Sequence, residues 1–180
     1  FSSSLISELC QDRQGSIWIG TDYGLNRFDG YSFQTFLHDD ADITTLRANV
    51  IVSLLVDTKG RLWVGTNRGL DRFDAATESF VHYTFPEGYQ PRVSSLLLRR
   101  DGTILVGTAG YGAFTLDGKD VLHTFDSGDT EQYFSRVFED SRGRLWRSDF
   151  DDTVTMYSNG RPPTFQSPVG SPLAFHEWGD

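Results

Sequence analysis

Three stretches of this 180-residue chain hold residue types that could do chemistry. Arg147-Ser-Asp149-Phe150-Asp151-Asp152 sets three carboxylates beside a guanidinium, and Asp39-Asp40-Ala-Asp42 groups three more. Gly107-Thr-Ala-Gly110-Tyr-Gly112 has the glycine content of a phosphate loop. Neither acidic cluster has the glycine and terminal glutamate that a calcium loop needs at fixed offsets. The glycine stretch has no lysine and falls between two strands, not at a strand–helix junction. No Gly-x-Ser-x-Gly, His-Glu-x-x-His or Cys/His dyad occurs. Cys10 stands alone, which excludes an intrachain disulfide, a cysteine zinc site and a cysteine-pair redox centre. The sequence therefore predicts no catalytic residues, no metal and no cofactor.

Composition narrows the partners. Lys plus Arg is 16 against 25 Asp plus Glu, a formal charge of −9. That balance argues against nucleic acid, whose binding needs a basic face to release counterions. It argues equally against an anionic membrane surface. With 14 Phe, 7 Tyr, 4 Trp and 18 Gly, the usage favours strands and tight turns and excludes a helical bundle. The longest apolar run, Val50 to Val56, is interrupted by Ser53 and cannot cross a bilayer as a helix.

The elements that must position any site come from internal repetition. Asp12-x-x-Gly15-x-Ile-Trp18-Ile-Gly-Thr21, then Gly24-Leu-Asn-Arg-Phe28-Asp29, recurs as Asp57-x-x-Gly60-x-Leu-Trp63-Val-Gly-Thr66, then Gly69-Leu-Asp-Arg-Phe73-Asp74. A third copy centres on Gly102, with Arg99 in place of the first Asp and Leu105 in place of Trp. A fourth runs Asp140-x-x-Gly143-x-Leu-Trp146, followed by Arg147-Ser148-Asp149 where Val-Gly-Thr is expected. Each copy parses into four short strands, the first two joined by a tight Asp-x-x-Gly hairpin. Four strands every 41 to 45 residues is the spacing of a β-propeller blade. The fold class is thus all-β: four-stranded antiparallel blades at about 5–36, 50–83, 93–125 and 134–160. Residues 161–180, with four of the six prolines, read as a Pro-rich connection and the start of a fifth blade. Trp18, Trp63, Leu105 and Trp146 are the expected filling between blades. Cys10 aligns with Leu55, Leu97 and Phe138 and reads as an apolar filler, and His82 and His123 read as surface residues of outer strands.

This unit resembles the two-component regulator propeller repeat, over residues 5 to about 160 and most closely in the first two copies. The resemblance implies four repeats of a larger, seven-bladed ring. It further implies the periplasmic sensor part of an inner-membrane hybrid two-component protein of gut Bacteroidetes, with kinase and regulator elsewhere. The implied ligand is an oligosaccharide from glycan breakdown, and the implied output is control of polysaccharide-utilisation genes. The remaining blades, a downstream sensor domain and a second copy are the implied partners, and no enzyme activity is expected of this part. Its first and last blades are expected to leave apolar faces open, which two copies pairing into an eight-bladed pseudo-ring would cover.

In a propeller the turns between second and third strands share one face with the blade-to-blade connections. Here those tips are Asp22-Tyr23, Asn67-Arg68, Ala109-Gly110-Tyr111 and Phe150-Asp151-Asp152, which differ between copies while the frame repeats. Asp22, Tyr23, Asn67, Arg68, Tyr111, Asp149, Phe150 and Asp151 are accordingly the expected ligand-binding residues, while Gly15, Gly60, Gly102, Gly143 and the tryptophans are scaffold. Two other readings stand beside the sensor. One is a propeller-scaffold lyase or glycoside hydrolase, and the other a structural or dimerisation propeller that binds nothing small.

Overall fold

The structure, a computed structural model, describes residues 3–125, 133–149, 153–157 and the backbone of 164–166. Among the described residues sixteen strands form four antiparallel sheets, and within each sheet neighbours in sequence are neighbours in space. The first blade is β1 (Ile6–Gln11), β2 (Ile17–Thr21), β3 (Gly24–Phe28) and β4 (Phe33–Phe36). The second is β5 (Ile51–Val56), β6 (Leu62–Thr66), β7 (Gly69–Asp74) and β8 (Ser79–Tyr83). The third is β9 (Val93–Leu98), β10 (Ile104–Thr108), β11 (Ala113–Leu116) and β12 (Leu122–Phe125). The fourth is β13 (Arg136–Glu139), β14 (Leu145–Ser148), β15 (Thr153–Tyr157) and β16 (Thr164–Gln166). The chain divides into two compact units, 1–96 and 97–180.

One boundary differs from the repeat spacing. The fourth blade takes its outer strand from Thr164–Gln166, past residue 160, where the spacing ends it. The connection before that strand is longer here, running 158–163 against 29–32, 75–78 and 117–121 in the earlier copies. Residues 167–180, where a fifth blade was expected to begin, lie outside the described residues.

The Asp-x-x-Gly hairpin and the tryptophan after it are one hydrogen-bonded device. Asp57 Oδ1 accepts the backbone N–H groups of Lys59 and Arg61 at 2.8 and 2.9 Å. Its Oδ2 accepts the Trp63 indole N–H at 3.0 Å and the Arg61 Nε at 2.7 Å. The Trp18 indole donates to Asp12 at 2.8 Å and that of Trp146 to Asp140 at 2.9 Å. Two departures in the third copy are therefore a single change: Leu105 removes the donor and Arg99 removes the acceptor together. The device recurs in the later turn of the third blade, where Asp117 accepts Lys119 and Val121 N–H groups and His123 Nε2 lies 2.9 Å from its Oδ2. His123 thus stands six residues on, as tryptophan does elsewhere, and acts as a cap on an exposed turn.

Gly60 has φ +78°, a left-handed conformation that costs other residues about 1–2 kcal/mol. A Cβ there would lie 2.9 Å from the Arg13 side chain, which crosses from the first blade to donate to the Thr58 carbonyl. Arg100 repeats this grip in the second unit, donating to the Ser141 carbonyl at 2.6 Å. Gly65 is needed for another reason, since a Cβ on it would meet Val93 Cγ1 at 2.7 Å.

Blade stacking follows one rule in both units. In the first unit the Trp18 side of the first blade, with Phe36 and Leu25, packs on Ile51, Leu54, Leu62, Val64, Phe73 and Phe80 of the second. Trp18 meets Phe73 edge-on at 4.8 Å between centroids. In the second unit Leu105, Leu97 and Phe125 of the third blade pack on Leu145, Val137 and Tyr157 of the fourth. These are the same strand positions by register.

Cys10 is half-buried against the first of these cores. Burial, helped by the carboxylates of Glu8 and Asp12, pushes its thiol up to about 12. Only thiolate alkylates, so at pH 8 iodoacetamide is expected to label the folded chain about 10³-fold more slowly than the chain in denaturant. Equal rates, followed by mass spectrometry, would mean that the thiol is not held in this core.

Candidate functional site

The recurrent threonine at the end of the second strand closes the tips of the first three blades from inside. Thr21 Oγ1 donates to the Gly24 carbonyl at 2.8 Å and accepts the Tyr23 N–H at 3.1 Å. Thr66 does the same for Gly69 and Arg68 at 3.0 and 3.1 Å. Buried threonines thus carry the turn, and Asp22, Tyr23, Asn67 and Arg68 are left pointing outward and exposed. The tip backbones are tied to the chain entering each blade, by Asp22 N–H to Leu5 O at 3.3 Å and Asn67 N–H to Val50 O at 3.1 Å.

Beside the second tip, residues 38–49 fold back over the second blade. Asp39 and Asp42 cap this loop internally, accepting the Ala41 and Thr44 N–H groups at 2.9 Å each. The Thr44 hydroxyl and N–H hold the Asp42 carboxyl below its usual range. His38 Nδ1–H donates to the Leu46 carbonyl at 2.6 Å, and its Nε2 lies 2.9 Å from the exposed Asp40 carboxylate. The loop is fastened to the blade by Phe80 N–H to Thr44 O at 2.7 Å, His82 Nε2–H to Thr45 O at 2.8 Å, Arg47 N–H to Asp71 Oδ2 at 2.8 Å and the Arg47 guanidinium to Asp71 and the Tyr83 carbonyl. Asp71 is fully buried in β7, with the Arg47 Nε 3.4 Å and His82 Nε2 4.0 Å from its other oxygen. Burial pushes its carboxyl up, against the opposing pull of the Arg47 N–H, His82 and the Arg47 guanidinium.

A cavity of about 210 Å³ opens between this loop, Arg68 and Gln90. Arg47 is committed to Asp71 and to the Tyr83 carbonyl, and His82 to Thr45. The Arg68 guanidinium has no ion pair or hydrogen bond among the described residues. The cavity therefore offers one uncommitted cation, the exposed carboxylate of Asp40 and the apolar side chain of Ile43.

In the second unit, Tyr111 sits half-exposed at its tip, and the neighbouring Ala109 bridges to Tyr133. Arg147 is buried, its guanidinium 5.0 Å from the Phe134 ring and 5.8 Å from that of Tyr157, and it donates to the Tyr133 carbonyl at 2.9 Å. Asp149 is buried too, paired with Arg147 at 3.1 Å and accepting the Thr153 hydroxyl at 2.9 Å. By register Arg147 occupies the position of the core residue Val64. The rule broken at 147–149 thus yields an internal ion pair between stacked blades. Phe150 and Asp151 lie outside the described residues.

Of the expected ligand residues, Arg68 joins a cavity, Asp22, Tyr23, Asn67 and Tyr111 are exposed tips, and Asp149 is internal. Sequence reasoning singled out the acidic run Asp39-Asp40-Ala-Asp42 but not His38, Arg47 or Asp71 around and beneath it. One signal was available: Asn26 and Asp71 stand at equivalent positions two residues before Phe28 and Phe73, on the same strand face, where a polar residue calls for a partner.

Residues 1–23 and 45–68 match the family described as two component regulator propeller. Over 45 residues the chain is 38% identical to histidine kinase P4 of Formosa agariphila, a match covering 25% of this chain and 3% of that one. The extracellular domain of a hybrid two component system from B. thetaiotaomicron superimposes with a TM-score of 0.73 at 22% identity, over 95% of this chain and 24% of that one. Virginiamycin B lyase from Staphylococcus aureus, with quinupristin, gives a TM-score of 0.72 at 12% identity, over 94% of this chain and 59% of that one. At such identities these structures show the fold, which is that of β-propeller blades. The chain spans about a quarter of the first structure and a small part of the kinase.

Proposed function

From a chain built of two-component regulator propeller repeats, we propose a sensor role: the periplasmic, non-catalytic recognition segment of a homodimeric hybrid two-component protein. Its signal is an oligosaccharide released by glycan breakdown, and its output is control of polysaccharide-utilisation genes. The observation that carries this reading is the family match at residues 1–23 and 45–68, the first part of each of the two intact copies. The site chemistry agrees with it. Sugar hydroxyls take hydrogen bonds from a guanidinium and give them to a carboxylate, while sugar C–H faces rest on apolar side chains. At about 210 Å³ the cavity is smaller than the roughly 300–1,000 Å³ of whole-ligand pockets, so it takes one residue of a longer sugar chain. In the first unit Asp22, Tyr23, Asn67 and Arg68 face the ligand, and in the second Tyr111 does. A ligand that prefers one arrangement of the sensor shifts that equilibrium by its differential affinity.

Two measurements test the proposal. Calorimetry against a panel of plant, algal and host oligosaccharides is expected to find one binding class. Arg68→Ala is expected to weaken that binding at least about tenfold, as loss of a charge-assisted hydrogen bond does. Its melting temperature should stay unchanged, because the side chain is exposed. Turnover of any panel member would favour the lyase or hydrolase reading instead. Reading the gene beyond codon 180 is expected to reveal further repeats, a membrane span and a kinase, and a stop codon there would overturn the sensor assignment.

A further inference from the structure

On the face opposite the tips, a second cavity of about 310 Å³ opens in the groove between the first two blades. Asp12, Ser16, Trp18 and Arg27 of the first blade line it, with Leu62 and Phe73 of the second. The repeat itself accounts for the space. In the second copy the residue after the hairpin glycine is Arg61, paired with Asp57 at 2.7 Å and 5.1 Å from the Trp63 ring. In the fourth it is Arg144, on Asp140 at 2.5 Å and 5.4 Å from Trp146. The third copy has neither the carboxylate nor the arginine, but Arg99 and Thr103. Only the first copy keeps the aspartate without the arginine, having Ser16 in its place.

Asp12 accordingly accepts the Gln14 and Ser16 N–H groups and the Trp18 indole, at 2.8 to 3.0 Å, and has no ion pair among the described residues. The cations around the cavity are committed elsewhere. Arg27 lies 5.5 Å from the Trp18 ring but pairs with Glu78 at 2.6 Å and donates to Gln34. Arg61 belongs to Asp57. By strand alternation Arg72 takes the side of β7 away from Phe73, with its Nε 3.3 Å from the Tyr83 hydroxyl. Asp74, also in the lining, accepts the Ala76 N–H and has no ion pair among the described residues. Two lining carboxylates are thus left without a cation.

We infer that this groove binds an organic cation, a guanidinium on a short alkyl chain, with its N–H groups on Asp12 Oδ2. The ligand supplies from outside what Arg61 and Arg144 supply from within the chain, and its methylenes rest on Leu62 and Phe73. At about 310 Å³ the cavity reaches the lower end of the range for small-molecule sites. The site lies away from the tips and is independent of the sensor reading.

Nuclear magnetic resonance of the 180-residue chain tests this through the assigned indole N–H signals of its tryptophans. Propylguanidinium is expected to shift the Trp18 signal saturably in the millimolar range. The Trp63 and Trp146 signals should stay in place, because their carboxylates already hold arginines. Propylurea, of the same shape and uncharged, is expected to bind at least about tenfold more weakly, since the charge-assisted bond is lost. Ser16→Arg refills the site from within, so it should raise the melting temperature and abolish the saturation. A Trp18 signal that does not saturate overturns the inference, as do equal shifts at all three indoles. So does saturation that survives in a folded Ser16→Arg chain. Acetyl-Gly-Arg-Gly amide binding more tightly than propylguanidinium makes the occupant an arginine of a partner, and weaker binding makes it a free small cation.

Discussion

Asp57→Ala is expected to destabilise the chain by about 2–4 kcal/mol, the cost of taking a buried carboxylate away from its donors, one of them a fully buried indole. The carboxylate holds four donors at once, and Trp63 beside it is fully buried. Losing it leaves an indole N–H with no acceptor away from water, worth about 1–3 kcal/mol by itself. Trp63→Phe removes the same N–H and keeps the ring. In that background Asp57→Ala should therefore cost less, with a coupling of about 1–2 kcal/mol in a double-mutant cycle. Additive losses in urea unfolding would mean that aspartate and tryptophan are not one device. The third copy, where both partners are replaced, is the natural form of the double variant. Acid should act on the same groups. Burial raises the Asp57 carboxyl, but the Trp63 indole and the Arg61 N–H and guanidinium outweigh it and leave it below the usual range. The corresponding donors, Trp146 and Arg144 with the Arg142 N–H, leave Asp140 at about 2. Carboxylates depressed in the fold contribute fully above their unfolded value near 4, and that contribution is lost as pH falls towards 2.

The blades were legible because each repeats an apolar register that neighbouring blades must bury. Trp18 and Leu54 announce their roles by recurring at fixed places in strands of period two. The hydrogen bond between Asp57 and Trp63 was not, because its partners meet only when the hairpin turns the second strand back on the first. His123 was read as a surface residue, and it is one; its service to Asp117 becomes visible only once the turn has formed. The tips were legible as variable residues on a constant frame. The cavity was not, since His38, Arg68 and Gln90 come from three separate connections whose paths no local propensity sets. Arg147 read as a break in the repeat and Asp149 as a ligand-binding residue beside it. They are broken scaffold facing inward, a distinction that depends on which neighbours supply Phe134 and Tyr157.

Asp71 bears most directly on how the candidate site keeps its shape. Asp71→Ala is expected to cost about 2–4 kcal/mol, because the Arg47 N–H and guanidinium lose their acceptor where little water reaches them. Hydrogen exchange should then quicken at the Phe80 and Arg47 amides, which hold the loop 38–49 to the blade. Asp71→Asn is expected to cost far less, since Asn26 fills the equivalent position of the first blade, fully buried and accepting the Thr35 hydroxyl at 2.9 Å. The pH dependence runs opposite to that of Asp57. Burial raises the Asp71 carboxyl above its unfolded value, so its protonated form is the one the fold prefers. Its contribution is complete below about pH 4 and declines as pH rises through the folded value. The stability of the unaltered chain relative to Asp71→Asn should therefore fall between pH 4 and pH 7, followed as the difference in urea midpoints. A rising difference would mean that the Arg47 guanidinium outweighs burial and that the pair stabilises as ions. A falling one makes Asp71 a positioning residue, retained at a cost in stability because it fixes the loop on which Asp40 and Ile43 meet Arg68.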